Sequence, residues 1–158
     1  MSDRWRPTGG KDYLLDDRLN IGVWHDRPIY IHITSQEGFA GISQAGLIKA
    51  TPKTDRRGLS AKNGIYINPS NQAFSPEDAW LLLFFEEEKY RFSSRFCFVF
   101  AFHEAVVVEE DAISSDSWIK EIIYRKDISF KEIDIIYSGP NPFVSLAKQN
   151  HSKSALFS

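Results

Sequence analysis

The chain has 158 residues, of which 42% are hydrophobic and 25% charged, and this composition is typical of a soluble globular domain. Its 19 Lys and Arg against 21 Asp and Glu give a formal net charge of -2, which argues against sequence-blind binding to nucleic-acid phosphates. No stretch approaches the roughly 18 apolar residues of a membrane span, and the N-terminus lacks the apolar segment of a signal peptide. We therefore expect a single soluble domain over residues 1–158, without a membrane partner.

The N-terminal third predicts an extension, a strand and a short helix. Residues 1–27 mix Trp, Gly, Pro and charged side chains without a period, which predicts an irregular N-terminal extension. Residues 29–34 are β-branched or aromatic with alternating character, and they predict the first strand of the core. Either Thr34 or Ser35 can cap a helix that begins next, and Gly46 stops that helix.

The middle of the chain predicts a loop, a strand and a second helix. Residues 49–63 are basic and polar without a period, which indicates a mobile loop. Residues 64–68 predict a second short strand. Ser75 as a cap and Pro76 at the first helical position mark a helix start. We expect this helix to continue into the acidic residues 86–88 and to be buried, because its apolar half has no polar face.

The second half of the chain predicts mainly strands. Residues 96–108 are almost continuously apolar, which favours one long central strand. Residues 121–124 and 133–137 predict two further strands, and residues 139–142 should end the regular structure before a C-terminal tail over 143–158. The fold class is therefore α+β, with a mostly antiparallel sheet and a few short helices.

Several kinds of site lack support in the sequence. The four histidines have no ligand-like spacing and no cysteine pair exists, so no metal site is predicted. The single cysteine, Cys97, lies in an apolar run and is predicted to be a core residue rather than a nucleophile. The glycine patterns of phosphate loops and dinucleotide-binding folds are absent as well.

The side chains of His32, Tyr66 and Glu121 together could cleave a glycosidic bond to a heterocyclic leaving group. His32 and Thr34 should project to the same side of their strand, and Tyr66 and Glu121 lie in or beside other predicted strands. Taken singly, each is more simply explained as a structural residue. Together, a histidine can grip a ribose, a tyrosine ring can face a leaving heterocycle, and a carboxylate can stabilise a developing oxocarbenium charge.

Three stretches carry a family resemblance. Residues 31–48, IHITSQEGFAGISQAGLI, resemble the opening motif of ADP-ribosyltransferases of the His-Tyr-Glu, diphtheria-toxin-like class, in which a His-x-Thr strand leads into a short helix. Residues 63–67, NGIYI, resemble the second motif, and residues 121–128, EIIYRKDI, resemble the third. The order and spacing of the motifs cover residues 29–137. Within the class, the chain most resembles small bacterial polymorphic-toxin domains and, more loosely, the transferases that modify DNA bases. The resemblance implies the split, mostly antiparallel β-sheets that are typical of that family.

The resemblance also implies a role for each site residue. His32 and Thr34 would hold the adenine-side ribose of NAD, and the backbone of Ile33 would meet the nicotinamide amide. Tyr66 would stack on the nicotinamide ring. Glu121 would hold the 2′-hydroxyl of the nicotinamide ribose and stabilise the oxocarbenium-like transition state, which makes it the expected catalytic residue.

The basic loop suggests how the pyrophosphate of NAD would be bound, and two departures from the family pattern concern the nicotinamide site and the acceptor. Arg56 or Arg57 could meet the pyrophosphate of NAD, because guanidinium groups pair well with phosphates. Many members carry a second aromatic about eleven residues after the tyrosine, where this chain has Glu77, so Phe74 or Trp80 would have to substitute. Arginine-modifying members carry Glu or Gln two residues before the catalytic glutamate, where this chain has Ile, so arginine is disfavoured as the acceptor.

The expected function is therefore a mono-ADP-ribosyltransferase of a bacterial toxin or effector. NAD would be the co-substrate without a metal, and the acceptor would be a macromolecule, a protein rather than a nucleic acid. Such a domain acts in the cytoplasm, or after delivery into the cytosol of a target cell, and can have an immunity protein as partner. The alternatives are an NAD glycohydrolase that uses the same site and a catalytically silent module that binds NAD or ADP-ribose. The RNA 2′-phosphotransferase branch of the fold ranks below these.

Overall fold

The structure is a computed structural model that describes residues 23–50, 64–70, 73–84, 86–112 and 120–143. Outside the described residues lie residues 1–22, residues 51–63 of the loop predicted over 49–63, and residues 144–158 of the tail predicted over 143–158. The strands are β1 (Val23–Trp24), β2 (Arg27–Thr34), β3 (Leu47–Ile48), β4 (Ile65–Pro69), β5 (Phe96–Phe102), β6 (Glu109–Ala112), β7 (Lys120–Tyr124), β8 (Ile128–Ser129) and β9 (Ile133–Pro140). The helices are α1 (Gln36–Ala45) and α2 (Pro76–Leu82), with short 3-10 turns at Glu88–Tyr90 and Phe130–Glu132.

The strands form one large sheet and one small ribbon. The order in the large sheet is β6-β7-β4-β2-β5-β9, with β1 also pairing with β2, and β3 pairs with β8 in the ribbon. Every pairing between described strands is antiparallel. The expected α+β class with mostly antiparallel strands and few short helices is therefore confirmed.

Strand β2 is the centre of the sheet and is covered on both faces. Tyr30 belongs to a core that includes Phe98 and Phe100 of β5 and isoleucines of β4 and the β3-β8 ribbon. Its neighbours Ile29 and Ile31 belong to a second core on the opposite face, together with Cys97 and Val99 of β5. Because side chains of a strand alternate between faces, a nearly continuous apolar sequence is what a strand in this position requires.

Helix α1 begins directly after β2, as the sequence predicts. Ser35 is the N-cap, and its hydroxyl accepts a hydrogen bond from the amide of Gly38 over 3.0 Å. Gly46 ends the helix with a φ of 66°, in the left-handed region that glycine adopts readily. Phe39 stacks on Phe98 with ring centroids 4.9 Å apart, which fixes α1 over the face of β5.

Two expectations about the first half of the chain are wrong. Residues 23–27 are not irregular: β1 folds back on β2 through His25 and Asp26, whose φ angles are 50° and 65°. Because of this tight turn, Trp24 packs against the core. Helix α2 begins at Pro76 as expected but ends at Leu82 rather than continuing to residues 86–88. Glu86 has a φ of 57°, which no helix accommodates, and Leu81 is exposed, so the helix is not fully buried.

The prediction of one long strand over residues 96–108 is also wrong. Strand β5 ends at Phe102, which pairs with Ile133 at the start of β9. Strand β9 begins at Ile133, and the three residues before it form a 3-10 turn. The chain beyond Phe102 therefore has no further residues of β9 to pair with. Arg27 donates to the carbonyl oxygen of Phe102 over 2.7 Å and secures this end.

The later strands agree with the sequence. Strands β7 and β9 lie where the patterns predict them, although β9 extends to Pro140 instead of ending before residue 139. A proline is tolerated there because β9 is an edge strand. Cys97 is fully buried, and burial raises the pKa of its thiol to about 12, which confirms it as a core residue. Neither helix in the described part of the chain is long and apolar enough to cross a membrane.

A charged cluster joins β2 to β9. Arg27 donates to a carboxylate oxygen of Asp134 over 2.6 Å, and the Nε2 of His103 lies 3.1 Å from the other oxygen. The hydrogen bond from Arg27, followed by that with His103, lowers the pKa of Asp134 below its usual value.

Replacing the carboxylate is expected to destabilise the fold in a pH-dependent manner. Because the folded-state pKa of Asp134 is lowered, its contribution is present above the unfolded-state pKa and is lost as the pH falls through the folded value. Asp134→Asn should lower the free energy of unfolding at pH 7 by about 1 kcal/mol or less, since the pair is partly exposed. Urea unfolding of both proteins at pH 7 and pH 3 measures the difference. A gap that widens at pH 3 would contradict this assignment.

Candidate functional site

Strands β2 and β4 are paired at one end and separate at the other. Within the described residues their register contains only Tyr30–Pro69 and Ile31–Asn68. Beyond this point β2 stays paired with β5 up to Thr34, and β4 stays paired with β7 down to Ile65. The sheet therefore opens between residues 32–34 of β2 and residues 65–67 of β4, and we call this opening the fork.

A cavity of about 630 Å³ lies at the fork, within the usual size range of small-molecule sites. Its walls come from the end of β2, one side of α1, the β3 region, β4 and the residues Leu83, Phe84, Tyr90 and Ser93. The expected residues His32, Ile33, Thr34 and Tyr66 all line it. The structure thus brings together four residues that the sequence places on two separate strands.

The imidazole of His32 reaches across the fork. Its Nδ1 lies 3.1 Å from the backbone oxygen of Tyr66. A carbonyl oxygen can only accept, so Nδ1 is the donor in this contact; in a neutral ring of this tautomer, Nε2 has acceptor character. A hydroxyl donor, such as that of a sugar, matches an acceptor of this kind.

The cavity contains aromatic residues that the sequence reasoning missed. Tyr66 shares the lining with Phe84 and Tyr90, whose ring centroids are 5.2 Å apart. The two substitutes considered from sequence do not lie there: Phe74 is buried in a core, and Trp80 lines a different groove. Phe84 and Tyr90 reach the cavity because α2 ends early, and the predicted continuation of that helix concealed them.

The polar part of the lining is neutral or positive. Lys49 is the one side chain with a permanent charge among the described lining residues, and the hydroxyls of Thr34 and Ser35 and the amide of Asn68 accompany it. The first turn of α1 also lies at this wall, where a helix dipole presents partial positive charge. The site can therefore combine aromatic stacking, hydroxyl recognition and attraction of an anionic group.

Gly38 determines where the Thr34 hydroxyl can sit. A Cβ atom at position 38 would lie 2.1 Å from Thr34 Oγ1, well inside the contact distance. The missing side chain therefore lets the end of β2 and the first turn of α1 approach closely.

The remaining expected residues stand as follows. Glu121 lies in β7, in register with Asp111 and two residues from Ile123, the partner of Tyr66. The three motif residues His32, Tyr66 and Glu121 thus belong to three adjacent strands, β2, β4 and β7. Arg56 and Arg57 lie outside the described residues.

Comparison with known proteins adds no assignment. No family model, curated protein or solved structure matches the chain. The described residues contain no group of three or more His, Cys, Asp or Glu that could hold a metal ion.

Gly38→Ala is expected to turn the Thr34 side chain into another rotamer, because the new methyl group would occupy the position of Oγ1. Gly41→Ala is the matched control in the same helix, with open space beside it, and should stabilise the protein by about 0.5–1 kcal/mol. Crystal structures of both variants report the Thr34 rotamer, and urea unfolding reports stability. An unchanged Thr34 in Gly38→Ala would disprove the steric role.

Proposed function

We propose that the chain is a mono-ADP-ribosyltransferase, which cleaves NAD between nicotinamide and ribose and passes ADP-ribose to a macromolecular acceptor. The observation that carries this proposal is the cavity at the fork. It collects His32, Thr34 and Tyr66, and the strand that carries Glu121 is the neighbour of the strand that carries Tyr66. A division of the sheet like that of the ADP-ribosyltransferases is part of the proposal, and the separation of β2 from β4 supports it.

The chemistry of the lining fits the parts of NAD. Tyr66, with Phe84 and Tyr90 nearby, offers aromatic surface to the flat nicotinamide ring. The Nε2 of His32 and the hydroxyl of Thr34 suit ribose hydroxyls, and the backbone of Ile33 suits the nicotinamide amide. Lys49 suits the negative pyrophosphate. Arg56 and Arg57 remain candidates for the same group.

In the proposed reaction the bond between the ribose C1′ and the nicotinamide nitrogen breaks. The bonding electron pair stays on the nicotinamide ring, which leaves as a neutral molecule, and C1′ gains oxocarbenium character. The Glu121 carboxylate stabilises this positive charge and holds the 2′-hydroxyl. A nucleophile of the acceptor then attacks C1′ and loses its proton. The enzyme contributes mainly orientation and charge stabilisation, because the leaving group needs no proton.

The identity of the attacking nucleophile decides between two activities. If water attacks C1′, the same site makes an NAD glycohydrolase that releases free ADP-ribose. Incubation with labelled NAD and a cell lysate distinguishes the two: transfer labels a macromolecule, whereas hydrolysis releases nicotinamide without labelling one. A role as a toxin or effector domain, with a partner that confers immunity, belongs to the same proposal and follows from the sequence resemblance.

Glu121→Gln is expected to reduce the rate of nicotinamide release by about 10²-fold or more, because the lost charge acts on the transition state. The KM for NAD should change far less, since the amide keeps the shape of the side chain. Nicotinamide release from purified protein, followed by chromatography, measures both parameters.

Glu110→Gln is the matched control, because Glu110 lies on β6 beside β7 and pairs with Ile122. This variant should keep the wild-type rate. Wild-type turnover by Glu121→Gln would show that another carboxylate carries the reaction. Absence of release by the wild-type chain, with varied acceptors present, would overturn the enzymatic proposal in favour of a binding module.

A further inference from the structure

A second groove lies between α2 and the start of β5. It encloses about 540 Å³, and its lining includes Trp80 of α2, Arg91, Phe92 and Arg95 of the following turn, and Phe96 of β5. Phe92 is 55% exposed, which is unusual for a large apolar side chain on a protein surface. The groove is separate from the chemistry assigned above.

The cationic and aromatic side chains of the groove alternate. The Arg91 guanidinium lies over Trp80 at 5.4 Å from the ring centroid and over Phe92 at 5.9 Å. The Arg95 guanidinium lies over Phe92 at 4.2 Å. Stacking on a ring holds a guanidinium in place while its N–H donors remain directed outward in its own plane. The row Trp80-Arg91-Phe92-Arg95, which we call the stacked row, therefore presents fixed donors beside apolar surface.

The N–H donors of Arg91 and Arg95 form few interactions with the described residues. Among the described residues, Arg95 has no ion pair, and Arg91 has one contact to an oxygen of Glu88 at 3.4 Å. Both arginines are exposed residues. A planar guanidinium pairs best with a carboxylate or phosphate through two parallel hydrogen bonds, and neither arginine has such a partner in the described part of the chain.

One segment of chain forms walls of both the groove and the cavity at the fork. Tyr90 and Ser93 line the cavity, and Arg91 and Phe92, between them in sequence, line the groove. A chain lying on the stacked row is therefore next to the site proposed to hold NAD.

We propose that the stacked row is the docking surface for the acceptor and that it takes an acidic polypeptide segment with apolar side chains. As an acceptor site this rests on the proposed function. Carboxylates of the segment would pair with Arg91 and Arg95, and its apolar side chains would cover Phe92 and Trp80. Tryptophan and arginine are the residues most enriched where binding energy concentrates in protein interfaces.

The surrounding charges favour a polypeptide over a nucleic acid. Glu77 lines the groove, and Glu88 lies beside Arg91. A nucleic-acid strand carries a negative charge at every nucleotide and would have to bring some of them against these carboxylates. A polypeptide can place its carboxylates opposite the arginines alone.

Fluorescence anisotropy tests the docking surface without NAD. The probe is a fluorescein-labelled peptide with two Glu among apolar residues, Leu-Pro-Leu-Glu-Leu-Pro-Leu-Glu-Leu-Pro, compared with the same peptide carrying Gln for Glu and with an oligothymidylate. We expect saturable binding of the acidic peptide, weakened at least about tenfold by Arg95→Gln and by Phe92→Ala. Lys126→Gln, which removes one exposed positive charge elsewhere, should leave the affinity unchanged. Circular dichroism and urea unfolding establish that each variant is folded.

Nicotinamide release and peptide labelling distinguish this proposal from the proposed function. Arg91→Gln and Arg95→Gln should leave nicotinamide release into water unchanged while reducing transfer to the acidic peptide or to labelled lysate proteins. Failure of the wild-type chain to release nicotinamide would overturn the acceptor role along with the enzyme, even where the peptide binds. Release without any arginine-dependent peptide binding would overturn the docking surface alone. Preference for the oligothymidylate would overturn it in favour of a nucleic-acid partner.

Discussion

The structure depends on an unequal pairing of β2 with its two neighbours. β2 pairs with β5 from Ile29 to Thr34, whereas among the described residues it pairs with β4 only at Tyr30 and Ile31. Pairing with β5 continues to the last residue of β2, and residues 29–31 are packed in cores on both faces of the sheet. The end of the strand can therefore present His32 and Thr34 to a cavity without backbone pairing to β4. A site carried by a rigid strand positions its groups more accurately than a site carried by loops alone.

The early end of α2 is the second determinant of the surface. Helix α2 ends at Leu82, and Glu86 has a φ of 57°, which a right-handed helix does not accommodate. The chain turns at Glu86, and the segment that follows delivers Tyr90 to the cavity and Phe92 to the neighbouring groove. The half-buried Tyr90 and the exposed Phe92 therefore lie close together in the chain, so that the two proposed sites adjoin.

Local signals made much of this fold predictable. The Ser35 cap, the Gly46 stop and the Ser75-Pro76 start each act through neighbouring backbone groups, so the sequence alone locates them. The end of β5 depends on a distant partner, because β5 stops at Phe102, opposite the first residue of β9. Helix α2 ends at Leu82, and the positive φ of Glu86, four residues later, excludes a continuing helix. For the same reason His32 and Tyr66 could be chosen from motifs, whereas Phe84 and Tyr90 required the three-dimensional path of the chain.

The central claim is that the fork binds NAD, and amide chemical-shift mapping of the ¹⁵N-labelled chain during an NAD titration tests it most directly. Saturable shifts concentrated in residues 32–38 and 65–68, which flank the fork, are the predicted result. Shifts concentrated near His103 at the opposite end of β5, or no saturable shift anywhere, would contradict the account.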